Sequence, residues 1–298
     1  MLSTYITQTT GSFLSPKNTG MGNVLFQVCF TYGISRKYNL KEDYSELEKL
    51  LKILDSYKFN HRNTVYRNIK TDTNFIPEIK LKEETDSHQL YDIDLIKKID
   101  KLKNKNIFVV DSYLQSHKYF DQYREEIQKL FEPDEESLNY IKEKYPDFLG
   151  QKNKISIHLR LEWGAGIKYK KDFLSNAIKY ISENITDENI NFYVFSDNIK
   201  KAKKILTCLK ANLIFCQENP DYIDLWMMSL CNHNILCHST MGWWGAYLNK
   251  NKDKKIMYPR SALKLFHATL YPNPVCLQRE EDYFMKDWIK IEGKSIYK

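Results

Sequence analysis

Three apolar runs in the second half of this 298-residue chain each end in groups that can do chemistry. ISIHL (155–159) ends in His158-Leu159-Arg160, FYVFS (192–196) in Ser196-Asp197-Asn198, and NILC (234–237) in His238-Ser239-Thr240. Arg160 offers a planar, permanently charged donor fork suited to phosphate. Asp197 can accept hydrogen bonds from ring N–H groups or ribose hydroxyls. Ser239 and Thr240 precede a helix predicted to begin near Met241, and helix-start N–H groups with the helix dipole make an anion site. Each feature also has an ordinary explanation. Ser-Thr ahead of a helix is usually a cap, a lone histidine such as His158 usually packs as a neutral ring, and Asp197 could cap the helix that follows it. The convergence of the three is the stronger argument. If the runs are parallel strands of one sheet, their carboxyl ends share a crevice, and the set becomes a pocket for a nucleoside diphosphate.

The elements needed to position these groups can be read from periodicity. LIFC (213–216) and KIMY (255–258) are further strand-like runs. Between the runs lie helical patterns: KDFLSNAIKYISEN places Phe173, Leu174, Ala177, Ile178 and Ile181 on one face, and NIKKAKKILTCLK and DYIDLWMMSLC follow suit. Alternating strands and helices imply a parallel sheet covered on both faces. The first half is less regular. TYITQ reads as a first strand, residues 23–40 as a helix after the glycine loop TGMG, IFVVD (107–111) as a strand, and about 116–131 as a helix. Residues 41–105 are charged and give no clear pattern. EPDEESLNYIKEKYPDFLGQKN reads as a connection, which puts a boundary near residue 150 and gives domains 1–150 and 151–298. The TGMGN loop fits neither a dinucleotide fingerprint nor a P-loop, but Gly22 and Asn23 could bring backbone and an amide close to a ligand. In HSTMGWWGAYLN, Trp243 and Trp244 fall in the first turn of a helix and are expected to anchor it to the sheet.

The bulk properties narrow the class. Hydrophobic content is 42%, charged content 28% and net charge +7, an ordinary globular balance with a lysine-rich surface. No nucleic-acid reader motif accompanies the charge. The six cysteines form no CxxC pair, so neither a zinc site nor a redox motif is suggested, and they read as reduced thiols. The start MLSTYITQTTGSF lacks the pattern of a signal peptide, and no apolar run approaches the roughly 20 residues that cross a bilayer. A soluble, cytoplasmic protein is expected, at most peripheral at a membrane.

Five motifs in order resemble glycosyltransferase family 11, the α-1,2-fucosyltransferases. GMGNVLFQVCFTYGISRKYN is similar to the family's glycine-x-GNQ-x-FQ start, and DSYLQSHKYF to its tyrosine-x-QS-x-KYF stretch. ISIHLR resembles the HxRR region and FYVFSDN the F-x-x-FSDD strand. DLWMMSLCNHNILCHSTMGWWGAYLN resembles D-x-x-x-MS-x-C-x-HNI-x-x-x-ST-x-SWWGA-x-LN. The resemblance implies an α/β, GT-B-like fold of two Rossmann-type domains facing a central cleft. It implies GDP-fucose as donor, inverting transfer to a galactose-type 2-hydroxyl of a glycan acceptor, and no metal. It places Arg160 on the diphosphate, His158 and Asp197 near the nucleoside, Ser239 and Thr240 at the β-phosphate, and Gly22 and Asn23 on the donor from the other domain. Glu162, just past Arg160, is the candidate base for the acceptor proton. Four positions depart from the pattern: the second arginine is Leu161, the following aspartate is Trp163, the serine of SWWGA is Gly242, and the second aspartate of SDD is Asn198.

Overall fold

The structure is a computed structural model, and it describes residues 1–6, 20–71, 75–82, 91–110, 113–150, 152–162, 167–168, 171–185, 189–207, 209–237, 239–259, 280–292 and 296–297. Trp163, Cys208, His238 and Cys276 therefore lie outside the described residues. The chain forms two compact units, Met1–Glu132 with Gln278–Met285, and Pro133–Leu277 with Lys286–Lys298.

The first unit is built on a parallel sheet in which β3 (Ile107–Val109) lies between β1 (Leu2–Thr4) and β2 (Ile79–Leu81). The first strand lies earlier than TYITQ suggested, because Leu2 to Thr4 take register with Ile107 to Val109. Helix α1 (Met21–Tyr38) begins after Gly20, whose left-handed φ of 69° needs no Cβ, and it is buried along most of its length. Helices α2 (Ser45–Ser56) and α3 (Ile93–Lys101) occupy the stretch that periodicity left unassigned, α3 being capped by the Asp92 carboxylate at the Asp94 and Leu95 N–H groups. The expected helix over 116–131 is instead two 3-10 turns, His117–Tyr119 and Asp121–Tyr123, followed by α4 (Arg124–Leu130). Tyr119 and Phe120 are both fully buried there and lie against Gly33 of α1, an approach that a regular helix with one inward face would not satisfy.

The division between the units falls at Glu132/Pro133 rather than near residue 150. The cause is α5 (Glu135–Lys144), which packs on later elements of the second unit. Tyr145 donates to Asn219 Oδ1 at 3.1 Å, Lys144 Nζ donates to the carbonyls of Gln217 and Glu218, and Phe148 meets Tyr193 edge-on.

The second unit matches the predicted alternation closely. Its strands are β4 (Lys154–Leu159), β6 (Asn191–Ser196), β7 (Asn212–Cys216), β8 (His233–Ile235), β9 (Ile256–Pro259) and β10 (Ile289–Ile291), all parallel in the order β10-β9-β8-β4-β6-β7. The short strands β5 (Ile167–Lys168) and β11 (Ile296–Tyr297) pair separately. Helices α6 (Lys171–Asn184), α7 (Ile199–Leu206), α8 (Asp221–Ser229) and α9 (Thr240–Tyr247) connect the strands. Every residue of β4 is buried, as a central parallel strand requires. Ile155, Ile157 and Leu159 on one face join Phe173, Leu174, Val194 and Ile235 in the core. On the other face Asn234 donates to Ser156 Oγ and the Met228 carbonyl, and Asn249 donates to Asn234 Oδ1 and the Cys231 carbonyl. This buried amide network binds β8 to α8 and to the end of α9, so each polar group has a partner.

Candidate active site in the second unit

Going outward from β4, the chain builds β6 and β7 on one side and then β8, β9 and β10 on the other. The switch in direction lies between β4 and β8, the place where such sheets open a ligand crevice at the strands' carboxyl ends. The three polar clusters leave the sheet here, on neighbouring strands β8, β4 and β6. Two direct contacts join them. Gly242 in the first turn of α9 lies so near the His158 ring that a Cβ on it would meet Nδ1 at 3.0 Å. On the other side Asp197 reaches back from β6 to the residues after β4.

Asp197 is not a helix cap; Asn198 is, accepting from the Lys201 N–H. The nearly buried Asp197 carboxylate accepts from the Leu161 N–H at 2.7 Å and the Glu162 N–H at 3.1 Å, and it pairs with Arg160 Nε at 3.3 Å. One carboxylate thus fixes the turn after β4 and grips Arg160 through Nε. The two Nη groups are the part of the fork that would meet a phosphate. With its oxygens so engaged, Asp197 serves here as the support of Arg160. Glu162 Oε1 accepts from Asn198 Nδ2 and from Lys201 Nζ, and its side chain is 47% exposed. That arrangement clamps the turn to the start of α7.

Ser239 is the N-cap residue of α9, extended at φ −159°, and its side chain makes no capping bond. The Ser239 side chain is therefore not the cap of this helix. Thr240 is the first helical residue, so both residues sit where helix-start N–H groups gather. Trp243 and Trp244 are core anchors as expected, 1% and 0% exposed. Trp243 stacks on Tyr247 at 5.0 Å and meets Trp288 at 5.5 Å. The aromatic cluster holds the helix, and its amino end faces the crevice beside β4.

Burial, and then the Arg160 cation, push the His158 imidazole down to about 4, against the pull of Asp197. The ring is neutral near pH 7, and its buried Nδ1 has no hydrogen-bond partner. This bears on Gly242. A methyl group there crowds the ring, while a serine hydroxyl could also reach Nδ1. Gly242→Ala should lower stability by about 1–2 kcal/mol, and Gly242→Ser should recover about 1 kcal/mol of that through the new bond. Urea unfolding of both variants decides it; a serine variant no more stable than the alanine variant removes the Nδ1 argument.

Asp224 in α8 is a titratable group that the sequence reading passed over, although a carboxylate inside the apolar run DLWMMSLC was the visible signal. Burial raises its carboxyl to about 7, with Asp221 adding to the rise and the Asn219 amide and Lys144 opposing it. Asn219 Nδ2 donates to Asp224 Oδ1 at 2.8 Å. A carboxyl raised above its unfolded value of about 4 contributes stability that is complete below pH 4 and is lost as pH rises through 7. Asp224→Asn stays neutral, so it should gain on the unaltered protein by about 2 kcal/mol between pH 5 and pH 8, less than the full shift because the residue keeps some exposed surface. Chemical denaturation at the two pH values measures the gap, and an equal gap at both contradicts the assignment.

Gly22 and Asn23 lie in the first turn of α1, in the other unit. Asn23 Oδ1 accepts from Gln115 Nε2 at 3.0 Å. The structure brings His158, Arg160, Glu162, Asp197, Ser239 and Thr240 to one sheet edge. Among the described residues, no helix is long and apolar enough to cross a membrane.

The second unit is thus a doubly wound parallel α/β unit with an arginine and a helix start at its switch point. The chain belongs to glycosyl transferase family 11, whose family model matches residues 21–292. It is similar to an alpha-1,2-colitosyltransferase of Escherichia coli, 27% identical over 195 residues that cover 60% of this chain and 61% of the relative. It is also similar to the O-antigen biosynthesis glycosyltransferase WbnK of Escherichia coli, 31% identical over 173 residues, 54% of this chain and 57% of that one. The chain spans about three-fifths of the length of these curated relatives. Among solved structures, a variant of Arabidopsis thaliana FUT1 in complex with GDP matches at 13% identity, covering 86% of this chain and 70% of that one, with a TM-score of 0.48. The fucosyltransferase NodZ from Bradyrhizobium matches at 10% identity, covering 76% and 88%, with a TM-score of 0.45.

Proposed function

We propose that this glycosyltransferase moves L-fucose from GDP-fucose to the 2-hydroxyl of a galactose-type unit in a glycan, with inversion. The observation that carries the reading is Arg160 at the end of β4, held through Nε by Asp197 after β6 and lying on the strand beside β8, which leads into the start of α9. Charge grows on the departing GDP as the sugar bond breaks, and preorganised donors at that place lower the barrier. In this reading Arg160, the hydroxyls of Ser239 and Thr240, and the N–H groups of the first turn of α9 hold the diphosphate. His158 lies near the nucleoside as a neutral ring, Asp197 acts there mainly by holding Arg160, and Gly22 and Asn23 supply further donor contacts. Glu162 takes the acceptor proton; an unchanged rate for Glu162→Gln across pH would remove it from that role. The charge is neutralised by protein groups, so turnover should be the same in excess EDTA, and loss of turnover with return on adding a divalent metal would contradict this.

Transfer assays with GDP-fucose and other GDP-deoxysugars on galactose-terminated glycans, with the linkage read by NMR, test the proposal. A new α-1,2-fucosyl linkage is expected; transfer from a UDP-sugar instead would sink it. A second donor, GDP-activated colitose, is favoured by one observation, the 27% identity to an enzyme named for colitose transfer. The same assay separates the two.

A further inference from the structure

The amino end of the second unit's sheet, where β4 and β8 begin, carries a cavity of about 520 Å³. That is room for a small organic ligand. β4 begins beside it and ends at Arg160, so the cavity and the donor edge lie roughly 20 Å apart, the length of that strand. The lining is cationic: Lys252, Lys254 and Lys255 set three ammonium groups against the Asp253 carboxylate. The carboxyl end of α6, at Asn184, adds about half a negative charge, and the balance stays positive. The loop that carries the lysines is firmly built. Asn251 donates its side-chain amide to the Asn232 carbonyl and its N–H to Asn249 Oδ1, and the Asp253 N–H reaches Asn251 Oδ1. His233, only 6% exposed, lines the same cavity. Its Nδ1 accepts from the Lys255 N–H at 2.9 Å, so the neutral ring carries its proton on Nε2. Burial and then Lys255 push the imidazole down to about 4, against Asp253, so the ring is neutral near pH 7. Among the described residues no acceptor takes up the Nε2–H. A donor left unmet in a largely buried ring costs free energy, and an anion in the cavity would meet it.

We infer that this cavity is a second binding site, separate from the donor edge, for a small phosphate-bearing molecule: the lysine ammonium groups take the charge and the His233 Nε2–H supplies a directed hydrogen bond. The inference does not depend on which sugar the enzyme transfers. Calorimetric titration with a hexose phosphate, with inorganic phosphate and with the free hexose, each in saturating GDP, tests it. The hexose phosphate should bind with a Kd of about 1 mM or lower, and the free hexose should not bind. The double variant Lys252→Ala/Lys255→Ala removes only two side chains at the cavity's rim, so its ligand-free melting temperature should be unchanged while affinity falls about tenfold. His233→Asn keeps an acceptor for the Lys255 N–H but has no group in the place of Nε2, and it too should bind more weakly. Inorganic phosphate binding as tightly as the ester would support the anion site and assign it to the free anion. No binding of either phosphate in saturating GDP overturns the inference, because any binding seen without GDP then belongs to the donor edge. Equal binding by the lysine double variant, or by His233→Asn, also overturns it. If GDP itself does not bind, the same titrations without GDP still read this cavity through the lysine and histidine variants, so the transfer reading and this inference fail separately.

Discussion

Replacing Arg160 by alanine should lower turnover of the GDP-sugar donor by about a hundredfold, a loss of roughly 3 kcal/mol of transition-state stabilisation. The size follows from the local design. Asp197 holds the guanidinium by Nε, so little ordering remains to be done when phosphate arrives. The family pattern offers a second arginine at the next position, but here it is Leu161, packed against the core. That position supplies no second fork. Arg160→Lys keeps the charge but loses the planar fork and the Nε bond to Asp197, so it should recover only part of the rate. Steady-state kinetics with donor varied measures both variants. Normal turnover in Arg160→Ala would remove the residue from its assigned role.

Gly245→Ala should give a large loss of stability from a single methyl group. A Cβ on Gly245 would lie 2.6 Å from Met228 Cβ, where α9 crosses α8. Met228 Cβ is fixed to its backbone and cannot swing aside, so one helix must move. Overpacking of this kind costs about 1–3 kcal/mol. For a unit of this size that corresponds to a melting temperature lower by about 3–10 °C. Because α9 carries both the Trp243–Trp244 anchor and the uncapped helix start, GDP affinity should fall in parallel. A thermal melt of the variant within 1 °C or so of the unaltered protein would show that the crossing has slack, and would weaken the argument that α9 is rigidly placed.

The sequence displayed the second unit well because a buried parallel sheet writes itself as short β-branched runs separated by amphipathic helices. ISIHL, FYVFS and LIFC all fell on strands within a residue or two. The helix start at Ser239–Thr240 and the core role of Trp243 and Trp244 were legible for the same reason. The irregular first unit was less so. The stretch from Ser116 to Phe131 has helical spacing, but close contact with Gly33 divides it into turns. That contact joins residues more than 80 positions apart, and spacing cannot reveal it. Partnerships between side chains were also hidden. Asp197, read as a ligand acceptor, also holds Arg160 and the turn after β4. Glu162, read as the base, also pairs with Lys201. The carboxylate Asp224 and the amide Gln115 stood unremarked within motifs already quoted, since only the fold shows that they are buried or whom they touch. Strand β10 comes from the far end of the chain and joins the sheet through β9, another pairing that no local pattern announces.

The central claim is that the edge formed by β8, β4 and β6 binds a guanosine diphosphate sugar through Arg160 and the start of α9. Titration of the unaltered protein and Arg160→Ala with GDP and with UDP, followed by calorimetry, tests it most directly. The account predicts measurable binding of GDP, much weaker binding of UDP, and at least a tenfold loss of GDP affinity in the variant. UDP bound more tightly than GDP, or GDP bound equally by both proteins, would contradict it.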